Sequence, residues 1–119
     1  LEVEVWVVEG REAPGPIDPQ LEPLSRELRS HGLRSFELLA RTQTRVTDGE
    51  VVLVPFADRR IEVQLLERTH EQAKIHVSLM RPGEPQPTQF VTWIPRGQAL
   101  LVGGPKTATG RLLYPVTVR

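Results

Sequence analysis

The chain of 119 residues contains no cysteine and no asparagine. Without cysteine it has neither disulfide bonds nor thiolate metal ligands, a composition compatible with the cytoplasm or the cell envelope. Without asparagine it has no N-glycosylation sequence. Because no apolar run approaches the roughly 20 residues of a membrane-spanning helix, we predict no membrane insertion of this segment.

The sequence also lacks an excess of charge, since 15 Lys and Arg residues balance 15 Asp and Glu residues. A strongly basic surface is what holds a protein on nucleic acid without sequence preference, so we predict no nucleic-acid partner. The composition, 39% hydrophobic and 25% charged, is typical of a folded soluble domain. We therefore predict one domain over residues 1–119.

The first part of the chain predicts a strand and then a helix. Residues 1–8 alternate between apolar and other side chains, which is typical of a half-buried strand. Asp18 and Pro19 indicate an N-cap and a first helical residue, and Gly32 indicates a stop. We predict an amphipathic helix over about 18–31, with a first turn distorted by Pro23 and with one apolar face formed by Leu21, Leu24 and Leu28.

The rest of the chain, 34–119, predicts strands separated by polar turns. Such strands at roughly ten-residue spacing are typical of a sandwich or a partly closed barrel. We predict an α+β fold, a mainly antiparallel sheet or sandwich of about seven or eight strands with one N-terminal helix. The predicted strands after the helix are 35–46, 51–55, 60–66, 73–79, 89–94, 99–102 and 111–118. In 60–66 and 73–79, apolar residues alternate with polar ones, which is typical of half-buried strands.

No set of residues predicts catalysis, a metal site or a cofactor. A zinc site needs three or four convergent ligands, whereas the histidines are spread along the chain: His31 in the last helical turn, His70 in a turn and His76 on a strand. Glu2 and Glu4 share a strand face at the chain end, where we expect them to be solvated. We predict that the protein is not an enzyme, although groups that converge only in space, such as His70 or His76 beside a carboxylate, remain an alternative.

A glycine-rich segment, 103–107, invites comparison with a phosphate-binding loop. The P-loop requires glycine directly before its lysine and a helix after it. Here Pro105 precedes Lys106 and a strand follows, so we predict a hairpin loop over 103–110 instead.

Surface residues that bind a partner or ligand are better functional candidates than catalytic groups. Trp6 and Trp93 lie opposite the regular apolar face of their strands. They belong to a second core layer if the helix covers that side, and otherwise form an aromatic patch that binds a partner or a sugar, together with Tyr114. A Pro-x-x-Pro spacing in 81–87 either presents an extended segment or stiffens a loop. An uncovered edge strand can also accept a strand from another chain.

Several stretches of the second half form a pattern of apolar strands and glycine turns: 35–39 (SFELL), 51–55 (VVLVP), 61–63 (IEV), 100–105 (LLVGGP) and 112–113 (LL). In these stretches the chain resembles a group of small β-rich proteins of GC-rich proteobacteria, of the myxobacterial kind. The group has no established activity, so the resemblance assigns no functional residues. It implies export to the periplasm or beyond, after removal of a signal peptide ahead of Leu1.

Together these observations predict a non-enzymatic interaction or structural module of the bacterial envelope or of an extracellular assembly. A secretion- or pilus-type accessory role is one form of it, and the expected partner is another protein or further copies of the chain. The alternative is a domain that binds a small ligand or a carbohydrate through Trp6, Trp93 and Tyr114.

Overall fold

A computed structural model describes residues 1–56, 59–80 and 85–119. These residues form eight β-strands, one 3-10 helix (Pro19–Leu24) and one short α-helix, α1 (Ser25–Arg29). The strands are β1 (Glu2–Arg11), β2 (Ser35–Arg45), β3 (Val51–Phe56), β4 (Arg59–Arg68), β5 (Gln72–Met80), β6 (Thr88–Pro95), β7 (Ala99–Lys106) and β8 (Arg111–Val118).

The strands pair into two four-stranded sheets, which we call the first sheet, in the order β2-β1-β8-β7, and the second sheet, in the order β3-β4-β5-β6. Every pair in the second sheet is antiparallel. In the first sheet, the Arg34 N–H donates to the Arg11 carbonyl across 2.7 Å, so β2 starts beside the end of β1. The prediction of a mainly antiparallel, strand-rich fold with one helical segment is confirmed.

The described chain divides into two compact units. The first unit comprises residues 1–4, 42–98 and 117–119, and it contains the whole of the second sheet. The second unit comprises residues 5–41 and 99–116, with both helices and β7. Strands β1, β2 and β8 contribute residues to both units.

Alternation along β4 and β5 builds the core of the first unit. One face of these strands is buried, and the register sets Val63 opposite Val77 and Leu65 opposite Ile75. The other face carries Glu62, Gln64 and further polar side chains. The sequence predicted this alternation, which is confirmed. The buried face is formed by Ile61, Val63, Leu65, Ala73, Ile75, Val77 and Leu79.

The helical segment of the second unit differs from the predicted helix over 18–31. Asp18 does cap it, because its side chain accepts a hydrogen bond from the Gln20 N–H across 3.0 Å. Pro23, however, has no N–H to donate to the carbonyl four residues earlier. The chain therefore forms a 3-10 helix first, and the α-helix begins only at Ser25 and ends at Arg29. His31 accordingly lies beyond the helix, not in its last turn.

The leucines of this segment nevertheless form the core of the second unit. Leu21 and Leu28 are fully buried, and Leu24 packs against the same cluster while remaining partly exposed. The cluster also contains Val8 from β1 and Leu113 from β8. Tertiary packing, rather than helix length, therefore stabilises these two short helices.

One prediction about the last strands is wrong. The predicted loop over 103–110 is shorter, because β7 continues to Lys106 through Gly104. A Cβ on Gly104 would lie 2.8 Å from the ring of Tyr114, so glycine allows the strands to approach there. In β8, Leu112, Leu113 and Tyr114 are all buried, so both sides of this strand are covered. An interior strand covered on both faces has no solvent side.

No helix in the described ranges has the length and apolar character required to cross a membrane.

Replacing Leu28 by alanine should lower the free energy of unfolding by about 2–5 kcal/mol, because the cavity left in the cluster collapses only partly. Urea unfolding measures this difference. Glu27→Ala, at the exposed neighbouring position of α1, should change it by no more than about 0.5 kcal/mol. Equal effects of the two substitutions would contradict the packing described for Leu28.

Candidate functional site

The large exposed apolar side chains of the described residues all lie on the second sheet. Val51 and Leu53 belong to β3, Met80 to β5, and Val91 and Trp93 to β6. Single exposed apolar residues are ordinary on a protein surface, but contiguous ones mark binding surfaces. Four of these five residues occupy the two edge strands, which makes the edges the first candidate.

The register shows how the outward face of the second sheet is arranged. Trp93 lies opposite Lys74, and Val91 lies opposite His76. His76 in turn lies opposite Gln64 on β4. Polar side chains therefore occupy the middle of this face and apolar side chains its rims.

Both edge strands of this sheet lack charge altogether. β3 has the sequence VVLVPF and β6 the sequence TQFVTWIP, whereas the central strands β4 and β5 carry arginine, glutamate and lysine. Natural sheets usually protect their edges with charged side chains, bulges or proline, because unpaired backbone groups there recruit other strands. On β3, Pro55 removes one backbone donor from the edge. On β6, the proline stands only at the last position, so β6 is the less protected edge.

Trp93 is the most exposed of the predicted site residues. It is 41% exposed, and the Lys74 ammonium lies over its ring, 6.0 Å from the centroid. Next to it, His76 Nε2 is 2.9 Å from Gln89 Oε1, a hydrogen bond between the two strands. An exposed indole held beside a cation and polar groups is available to a partner on one face.

Trp6 and Tyr114 are placed differently, both in the second unit. Trp6 packs against the leucine cluster, and the Arg41 guanidinium lies over its ring at 5.4 Å. Of the two alternatives left open by the sequence, Trp6 therefore follows the covered one and Trp93 the exposed one. Tyr114 is only 3% exposed. A site that uses all three aromatic residues stays a prediction, and Trp93 is the most exposed of the three.

The chain-end carboxylates show one departure from expectation. Glu4 is 2% exposed rather than solvated. Its Oε2 atom lies 3.5 Å from Arg119 Nη1, while Glu2 Oε1 accepts a hydrogen bond from Gln43 Nε2 across 2.6 Å. β1 is an interior strand of the first sheet, and Val3 and Val5 on either side of Glu4 are buried as well, so both faces of the strand are covered here. Arg119 supplies the opposite charge that such a buried carboxylate requires.

The remaining candidates do not assemble into a site. In the described part of the chain, no three His, Asp or Glu side chains come together as metal ligands. His76 contacts the amide of Gln89 and not a carboxylate. Of the proline-rich loop, residues 81–84 lie outside the described residues, so its predicted role in recognition stays a prediction.

The uncharged edges could have been found from the sequence, but their importance could not. A scan of the predicted strands for those without Asp, Glu, Lys or Arg selects 51–55, 89–94 and 99–102. Whether such a strand is central, where the lack of charge is ordinary, or at an edge, where it exposes pairing groups, depends on the strand order.

Comparisons with models of known protein families, with curated proteins and with solved structures found no match for this chain. The resemblance to exported β-rich proteins therefore stays a prediction.

Thr47 holds the carboxylate of Glu50 in the turn that leads into β3. The Thr47 hydroxyl donates to Glu50 Oε1, and the Thr47 N–H donates to the same oxygen across 2.9 Å. These bonds, the hydroxyl first and the backbone second, lower the pKa of Glu50 from its ordinary 4.5. A lowered pKa means that Glu50 stabilises the fold above its unfolded pKa, and that this contribution is lost as the pH falls through the lowered value.

Replacing Thr47 by valine should therefore raise the pKa of Glu50 toward its ordinary value, as measured by an NMR titration of the carboxylate carbon. Thr69→Val removes a turn hydroxyl that donates to the Gln72 carbonyl, and it should leave the Glu50 titration as it is. A Glu50 pKa that is the same in wild type and Thr47→Val would rule out the hydroxyl as the main cause.

Proposed function

We propose that this chain is a non-enzymatic protein-interaction module, and that its binding surface is the β6 edge of the second sheet. The observation that carries the proposal is an edge strand with no charged residue and with Val91 and Trp93 exposed on its outward side. The partner is another protein or a second copy of the chain.

Strand addition is the mode of binding that this surface favours. An extended segment that pairs with an edge strand gains backbone hydrogen bonds, and its alternate side chains meet the side chains of the edge. Val91 and Trp93 stand two residues apart and so share one face. A partner segment with apolar residues at alternate positions is therefore the expected occupant.

The location that we propose is the cell envelope or an extracellular assembly, and a secretion- or pilus-type accessory role is one form of this function. Support for it comes from the resemblance to exported β-rich proteins. Fractionation of the source cells, with the chain recovered from the envelope or the medium, is the expected result. Recovery of the chain in the cytoplasm would contradict this part of the proposal.

A second candidate function is favoured by the surroundings of Trp93. Its exposed ring adjoins Lys74, and the polar pair His76 and Gln89 lies along the same two strands. Aromatic faces bordered by hydrogen-bonding groups are platforms on which sugar rings and other small ligands stack. In this alternative the same face of the second sheet binds a carbohydrate or small ligand.

Val91→Lys should weaken partner binding by about ten- to a hundredfold, because it replaces a buried apolar contact worth about 1.5–3 kcal/mol by a charge. The partner is first identified from the native mass of the protein isolated from its source and from mass spectrometry of the proteins that copurify with it. The purified partner is then titrated against wild type and variant by calorimetry, or the dissociation of a homo-oligomer is followed by light scattering.

The matched control is Val51→Lys on the opposite edge, since Val51 is 51% exposed and Val91 is 50% exposed. This variant should bind as wild type does. Equal weakening by both substitutions would contradict the assignment to β6. A native mass of one chain, with no companion, would overturn the interaction module itself.

The carbohydrate alternative predicts a different result for Trp93. Its fluorescence should shift when a soluble glycan is added. Trp93→Phe should bind the glycan more weakly than wild type, and Trp93→Ala should not bind it. Trp6→Phe, which changes the covered indole, serves as the spectroscopic control. A glycan screen that leaves Trp93 emission unchanged would reject this alternative.

A further inference from the structure

Two adjoining cavities of the second unit are lined by four Lys and Arg side chains. They share Leu33 as a common wall, and their volumes are about 360 and 580 Å³. Cavities of this size hold small organic molecules. We call the smaller one the hairpin cavity, because Lys106 and Arg111 at the β7–β8 turn line it, and the larger one the arginine cavity, because Arg29 and Arg34 line it.

The balance of charge at these cavities departs from that of the whole chain. The chain carries equal numbers of basic and acidic residues. The hairpin cavity contains one carboxylate, that of Glu12, and also the imidazole of His31. The arginine cavity has no acidic lining residue in the described part of the chain. Four permanent cations thus face one carboxylate.

These four cations are also unpaired within the described ranges, where none of them forms an ion pair. Several basic side chains elsewhere have acidic partners: Arg60 lies 3.3 Å from Glu62, and Arg68 lies 3.4 Å from Asp48. Arg11 contacts both Glu37 and Glu9, and these hydrogen bonds, that of Glu37 first, raise its pKa. Unpaired cations gathered in a concave surface focus a positive potential into it.

The hairpin also holds its two cations in place. The turn between them is closed by two bonds: the Thr107 N–H donates to the Gly110 carbonyl across 2.8 Å, and the Gly110 N–H donates to the Thr107 hydroxyl across 2.9 Å. A Cβ on Gly103 would lie 3.0 Å from Arg111 Nη2, so the missing side chain leaves room for the guanidinium. Two like charges at one rigid turn repel each other unless an anion lies between them.

We propose that the hairpin cavity binds a small organic anion. Its phosphate or carboxylate group contacts Lys106 and Arg111, and its apolar part lies against Leu33. Arginine and lysine are the side chains that bind such groups by charge-assisted hydrogen bonds. A nucleic acid is a poorer fit, because the four cations line two cavities rather than a continuous groove with stacking aromatic rings. This site lies outside the β6 edge and does not depend on the proposed partner binding.

The test is an NMR titration of the labelled protein with phenyl phosphate, which carries both an anion and an apolar ring. The amides of Leu33, Thr109 and Gly110 should shift and saturate with a dissociation constant on the order of 1 mM, as expected for a fragment of this size. Benzyl alcohol, the neutral counterpart, should leave these amides unshifted. Saturation by benzyl alcohol, or no shift with phenyl phosphate up to about 10 mM, would overturn the proposal.

The variant Lys106→Gln/Arg111→Gln should weaken phenyl phosphate binding by at least about tenfold. Arg26→Gln/Arg45→Gln is the matched control, because it removes the same charge at exposed positions outside both cavities. If the double variant does not fold, Lys106→Gln alone serves, since Lys106 is exposed and its side chain makes no hydrogen bond to a described residue. Equal affinities in the test and control variants would overturn the proposal.

Discussion

The pairing of β1 with β8 is the interaction on which the rest of the structure depends. Glu2 and Arg119 exchange two backbone hydrogen bonds, of 2.7 and 2.8 Å, which is the pattern of an antiparallel pair. Both strands are interior, and the cluster under the helices needs Val8 from one and Leu113 from the other. Pairing segments so far apart in sequence costs the folding chain loop-closure entropy before any contact between them forms. The helical segment, too short to be stable alone, therefore acquires its order from this long-range pairing.

Each of the two surfaces proposed for binding lacks a feature that proteins normally provide at such a place. A sheet edge is normally protected by charge, and a charge is normally balanced by a partner. β6 is an edge without charge, whereas Lys106 and Arg111 form no ion pair with a described carboxylate. The edge of β6 has backbone groups that can pair with a further strand, and the two cations can bind an anion. The two proposals therefore rest on chemically distinct surfaces, one an apolar rim and the other a basic cavity.

The sequence predicted what is local in this fold and missed what is not. The period-two pattern in β4 and β5 correctly identified their buried faces, and Asp18 correctly marked the start of the helical segment. Pro23 was recognised as a distortion, yet its effect was larger than expected because the missing donor converts the first turns into a 3-10 helix. Glu4 was expected in water because it stands near the chain end. Its burial comes from the neighbours of β1, which its own strand does not reveal.

The amino-acid sequence by itself determined the strand-rich class, the polar turns, the capped helical segment and the alternation that buries one side of each central strand in the second sheet. These depend on backbone preferences and on side chains within a few residues of one another. Only the tertiary structure decided which strands are edges, which indole is covered and which cations line the same cavity. Strand order and convergence come from contacts between distant segments, and a local pattern is the same in a central strand as at an edge. That is why 88–95 is ordinary as a sequence and becomes a candidate binding surface only because β6 stands last in its sheet.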